Sequence, residues 1–194
     1  MKFRTIVLLR LGVAALLILS ALPARADIAL FSKYWDNVAR AATAGDAQQV
    51  RQLLTSGNSP NQTDEDDHTG LHVAAITGNI QIAAILIKAG AKLDPVDKLG
   101  NTPLHYAVER GHAEVAKLLL DVGAPVDAQN RNGMTPLMVA ASRGDLEIVR
   151  ALLAKGANPN KTDFTGRDAI GWAAQGHRPA VVEALKRGAS RRHS

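Results

Sequence analysis

The sequence predicts an all-α fold: a single-layer solenoid of helix-turn-helix units joined by hairpin-like loops, about five repeats including two capping ones. Two regularities lead there. Gly45, Gly78, Gly111 and Gly144 recur with a period of 33, and Gly176 follows at a spacing of 32. Each has a second glycine at an offset of 12, namely Gly57, Gly90, Gly123, Gly156 and Gly188. A fixed period of this size marks stacked supersecondary units. A third observation is composition. With 46% apolar residues but only 4% aromatics, the core must be built from Ala, Leu, Val and Ile.

The segment 1–26 stands apart. Lys2, Arg4 and Arg10 precede an apolar run from Leu11 to Leu22, then Pro23 and Ala24-Arg25-Ala26. This is the order of a secretory signal peptide, with cleavage expected after Ala26. The run from Leu11 to Leu22 is too short to span a bilayer comfortably. Removing the segment takes away four basic residues and no acid, so the formal net charge falls from +5 to +1. The basicity of the whole chain therefore argues no nucleic-acid partner. Cysteine is absent, which excludes a disulfide framework, a thiol nucleophile, a Cys-ligated zinc and a lipid-anchored start. The expectation is a periplasmic monomer, off the membrane once the signal is cleaved.

The mature chain divides by register into a capping repeat (27–63), three full repeats (64–96, 97–129, 130–162), a second cap (163–190) and a basic tail (191–194). In 97–129, Asp97 and Gly100 mark a turn. Thr102 can cap the helix that follows, and Pro103 at its first position loses no needed donor. Leu104, Ala107 and Val108 form one buried face, and Gly111 ends the helix. Val115, Leu118 and Leu119 give the inner face of a second helix, ending at Gly123. The unit 130–162 repeats this with Thr135-Pro136, Leu137, Ala140, Ala141, Ile148 and Gly156, and 64–96 follows more loosely from Thr69. In the first cap Lys33-Tyr34-Trp35-Asp36 replaces the hairpin, with Phe31 and Trp35 expected to cover the end. The last has Arg167-Asp168-Ala169-Ile170 and lacks one residue before Gly176, and terminal repeats need such polar faces.

TPLHYA at Thr102–Ala107 resembles the ankyrin T-P-L-H-x-A motif, as do GHAEVAKLLLDVGAPVDA and GDLEIVRALLAKGANPN. The resemblance covers 31–190 and implies stacked helix pairs with partners held by hairpin tips and exposed first-helix positions on a concave side. It also implies that the TPLH histidines, His72 and His105, are structural, bonded around the turn and to the neighbouring repeat.

That bears on one apparent site. His105, Glu109 and His112 are spaced i, i+4 and i+7, which on one continuous helix would present two imidazoles and a carboxylate together. Gly111 interrupts that helix. The equivalents also vary: His72, Met138 and Gly171 for His105; Asn79, Asp145 and His177 for His112. No metal site or catalysis is expected, and no cofactor. Asp64-Glu65-Asp66-Asp67 lacks the frame of a calcium loop and reads as a solvated hairpin tip. Tyr106 and Trp172 share a register position with Val73 and Val139, so they read as packing residues.

What remains is surface. The expected partner-binding set is acidic at Asp64, Glu65 and Asp66, then carries a basic stripe of Lys98, Arg110, Arg131, Arg143 and Arg167 beside Glu109. Leu99, Met134 and Phe164 are apolar hairpin-tip residues with no intramolecular duty in this register. The function expected is a protein-interaction module for a partner with an acidic surface. The alternatives are a small-ligand protein or a chaperone-like accessory protein of the periplasm. A single-layer solenoid has little interior for a ligand pocket, which counts against the first.

Two substitutions test the register. Met138→His restores the motif and is expected to leave thermal stability intact. Leu119→Asp buries an unpaired charge and is expected to cost more than about 4 kcal/mol, unfolding the stack. A circular dichroism melt unchanged by Leu119→Asp would overturn the assignment.

Overall fold

The computed structural model describes residues 37–190. The expected signal peptide, Phe31 and Trp35 of the first cap, and the 191–194 tail lie outside the described residues. Within them the chain is all-helical, and isolated bridges at Thr63–Thr69 and Thr162–Asp168 are its only β pairings.

The helices come in pairs. They are α1 (Val38–Thr43) with α2 (Ala47–Thr55), α3 (Gly70–Thr77) with α4 (Ile80–Lys88), α5 (Pro103–Arg110) with α6 (Ala113–Asp121), α7 (Pro136–Arg143) with α8 (Leu146–Ala154), and α9 (Ala169–Gln175) with α10 (Pro179–Ser190). Each odd helix packs on the next odd helix and each even helix on the next even one, so the pairs stack in sequence order. The starts follow from the side chains. Thr69, Thr102 and Thr135 cap α3, α5 and α7, with Pro103 and Pro136 in the first turn. Asp168 does the same for α9, accepting from the Gly171 amide. Asp46, Asn79 and Asp145 cap α2, α4 and α8.

The core is a set of ladders with one rung per pair. Ala41, Ala74, Ala107, Ala140 and Ala173 are all buried, and their small side chains let neighbouring first helices approach closely. Leu53, Leu86, Leu119, Leu152 and Leu185 form the matching ladder in the second helices, the last four fully buried. Burying a leucine contributes roughly 2 kcal/mol. Both ladders keep a spacing of 33 to the end of the chain.

That spacing corrects the expectation for the last unit. No residue is missing there. The amides of Asp46, Asn79, His112, Asp145 and Arg178 donate to the carbonyls of Ala41, Ala74, Ala107, Ala140 and Ala173 at 2.8–3.2 Å, an unbroken period. The left-handed position filled by Gly45, Gly78, Gly111 and Gly144 is taken in the last unit by His177, at φ 53°, whereas Gly176 has φ −78°. The equivalent of His112 is thus Arg178 and not His177. Gly176 is small for another reason: a Cβ there would lie 2.9 Å from the Ser142 carbonyl. Gly188, unlike Gly176, ends no helix. It lies inside α10, where a Cβ would meet Leu153 at 2.9 Å.

His177→Gly should therefore stabilise the protein by about 1 kcal/mol, because glycine adopts φ > 0 without the Cβ clash. Thermal melts compare it with Gly176→Ala, expected to destabilise. The opposite order would restore Gly176 as the turn residue.

Candidate interaction surface

Each hairpin tip opens on a side chain that folds its own turn. Asp64 Oδ1 accepts from the amides of Asp66 and His68, and Asp97 Oδ1 from Leu99 and Asn101. Asn130 Oδ1 accepts from Asn132 and Met134, and Asp163 Oδ1 from Thr165 and Arg167, all at 2.8–3.0 Å. These are Asx turns, in which the carboxylate or amide replaces a backbone acceptor. Asp64 is thereby half-buried and engaged in its turn, which corrects its placement among solvated tip charges.

In two turns the second oxygen holds an aromatic side chain nine residues on. The Tyr106 hydroxyl donates to Asp97 Oδ2 at 2.5 Å, and Trp172 Nε1–H donates to Asp163 Oδ2 at 3.0 Å. His68 lies 3.4 Å from the same Asp97 oxygen, and its ring meets Tyr106 edge-on. Burial alone would raise the Asp97 carboxyl, but the bonds from Tyr106 and from the Asn101 and Leu99 amides outweigh it and hold it below the usual range. The Tyr106 phenol is pushed up to about 12, first by burial and then by its bond to Asp97. The Thr165 hydroxyl leads the donors that hold Asp163 down to about 2. Tyr106 and Trp172 are thus polar anchors as well as packing residues.

His72 and His105 bond as the motif implies. In each, Nδ1 accepts from the N–H and hydroxyl of its capping threonine, Thr69 or Thr102, at 2.9–3.2 Å. Nε2–H donates at 3.0 Å to a carbonyl of the next hairpin, Asn101 or Met134. Only the neutral Nε2–H tautomer satisfies every partner. Burial lowers both imidazoles below 6.5. His112 makes a different cross-repeat bond. It starts α6 without capping it, and its ring lies over Gly78 with Nε2 donating to the Ile76 carbonyl at 3.1 Å. Glu109 is exposed, so His105, Glu109 and His112 form no shared site.

The expected charged residues separate into two groups. Glu65 bridges to Arg40 at 2.7 Å, and Lys98 reaches Asp66 at 3.5 Å and the Glu65 carbonyl. The acidic end is therefore compensated by its neighbours, through exposed pairs that are each worth little. Arg110, Arg131 and Arg143 are exposed and enter no ion pair with any described residue. The Arg143 guanidinium reaches back over Gly111, next to Arg110. Arg167 is half-buried, stacked 4.5 Å over the Trp172 ring and bonded to Gln175.

Among the apolar tip residues, Leu99 and Phe164 are 62% and 75% exposed. Met134 is corrected: it is half-buried, packs against the core, and its carbonyl receives His105. The structure gathers Arg131, Met134, Phe164 and Trp172 around one cavity of about 310 Å³, completed by Asn132, Asp163 and Thr165. Neither this cavity nor the aspartate–aromatic pairs were foreseen from the residues alone. A signal for the pairs exists in the coincidence of an aspartate with an aromatic residue nine positions on, at Tyr106 and Trp172, whereas Asp64 and Asn130 stand before Val73 and Val139.

With this geometry, a family model described as ankyrin repeats (3 copies) matches residues 38–130 and 122–191. No curated protein matches the chain.

The buried imidazoles make stability depend on pH. Their folded pKa values lie below 6.5, so as pH falls through 6.5 the unfolded chain takes up protons first. The contribution is whole above 6.5 and declines below it. Melts between about pH 8 and pH 5 should fall on the acid side, and His105→Met, the side chain found at the next repeat, should shallow that fall. An identical slope in the variant would mean that His105 does not titrate as its bonds require.

Proposed function

The chain belongs to the ankyrin-repeat family, and from that premise we propose that it is an exported adaptor holding an acidic partner protein against its first-helix and hairpin-tip face. Ankyrin repeats generally mediate protein–protein interaction and are typically non-enzymatic. The observation that carries the finer reading is the trio Arg110, Arg131 and Arg143, exposed and in no ion pair with a described residue. Guanidinium groups bind carboxylates through paired hydrogen bonds, and a one-sign patch steers encounter with the opposite sign. The acidic tip, already bridged to Arg40 and Lys98, serves the fold more than the partner. This narrows the recognition set to the basic residues and the exposed Leu99 and Phe164. Export as a monomer to the periplasm is part of the proposal, supported by the basic start, short apolar run and Ala24-Arg25-Ala26. So is the division into a capping unit, three full repeats and a second cap.

The test is affinity capture from periplasmic extract with the tagged protein, beside an Arg110→Glu/Arg143→Glu variant shown by circular dichroism to be equally folded. One protein captured by the parent, released by salt and lost by the variant is the expected result, with affinity lowered at least tenfold, about 1.4 kcal/mol. Capture of nothing by either protein overturns the adaptor reading.

A further inference from the structure

We propose that the cavity between the hairpins of the last two units is the anchoring pocket of this surface, taking one large apolar or aromatic side chain from an acidic segment of the partner. The inference rests on the interaction reading above and deepens it. Met134 and Trp172, both half-buried, line it together with the exposed Phe164 and Arg131.

The aromatic character is local to this place. Phe164 is the most exposed of the large apolar side chains described, and its repeat equivalents are Glu65, Lys98 and Arg131. A tip position that is charged in three units and phenylalanine in the fourth is not explained by the turn. The backbone there follows the common plan, with the Phe164 amide donating to Asn132 as the Arg131 amide donates to Leu99. The ring rests against Gly133, where a Cβ would lie 2.8 Å away, and lines the cavity. Trp172 is held at its ring edge by Asp163 and on one face by Arg167, which leaves a rigid aromatic group at low entropic cost. Rigid aromatic and arginine groups around a small pocket are what interface anchors are made of.

Charge selects the class of occupant. The single acid of the lining, Asp163, already accepts from Thr165, Arg167 and Trp172, so it offers little to a basic ligand. Arg131 in the lining enters no ion pair with a described residue, and Arg110 and Arg143 extend the same sign along the neighbouring helices. A larger hollow of about 530 Å³ beside His177, Arg178 and Glu183 lacks both features, having mixed charge and no aromatic ring but histidine. At about 310 Å³ the tip cavity sits at the low end of small-molecule sites and suits one side chain.

The experiment titrates the isotope-labelled protein with defined peptides and follows amide and indole NMR signals. The probes are acetyl-Glu-Glu-Phe-Glu-Glu-amide, its alanine-centred form, its lysine-flanked form, and a thymidine oligonucleotide. The expected result is a salt-sensitive shift of the Trp172 indole and the Phe164 and Arg131 amides with the first peptide. The other two peptides should bind at least about tenfold more weakly, as should the first peptide with Phe164→Ser or Arg131→Glu. Phe164 and Arg131 are exposed, so both variants keep the fold. Shifts confined to Arg110 and Arg143, equal binding of the lysine peptide, or tighter binding of the oligonucleotide each overturn the pocket. A partner captured by the parent and retained by Phe164→Ser overturns the pocket while the adaptor reading stands. Failure to capture any partner overturns the adaptor reading instead.

Discussion

Each helix pair of this protein exposes apolar surface that only the next pair can cover. The short helices, of 6 to 12 residues, are too brief to hold alone in water. They persist because Leu53, Leu86, Leu119, Leu152 and Leu185 cover one another in series, and because the alanine ladder lets the first helices approach. Stability is then close to a sum of units and interfaces. A fault in one rung is felt by two neighbours and by little else.

Polar groups repeat the same logic. At the hairpin tips the Asn101 and Met134 carbonyls accept from the Asp97 and Asn130 amides of their own units, and His72 and His105 add a second bond from the preceding repeat. The buried side-chain polar atoms described are all partnered. Where the histidine becomes Met138, the thioether sits 3.5 Å from the Thr135 amide, so the threonine cap survives without the bridge. Repeats therefore tolerate the loss of one device provided the leucine and alanine ladders remain.

The same register organises the exposed face. Positions one repeat apart fall side by side, so a charge placed once per repeat becomes a row without further design. At the acidic end this brings Lys98 against Asp66 and the Glu65 carbonyl, while Arg40 bridges to Glu65 from outside that register. Further along, Arg110, Arg131 and Arg143 stand exposed and in no ion pair with a described residue, although Glu109 lies beside Arg110. Departures from the register are where individuality enters: His177 at a glycine position, Phe164 at a charged tip, Trp172 in a valine column.

The sequence by itself determined the helical class, the stacking, the threonine caps and the turn at Gly111, because each rests on local spacing and on what a side chain can do for nearby backbone. It also identified the exposed arginines, since charge at a register position away from the ladders has nowhere to go but solvent. Tertiary structure decided the rest. Gly176 and His177 are adjacent and both plausible at the turn, and only the fixed distance between stacked ladders chose His177 over the better residue. Asp64 and Met134 look free along the chain, yet a turn claims one and the neighbouring helices cover the other. The cavity at Phe164 and Trp172 belongs to two repeats at once, and its walls meet only when those repeats stack.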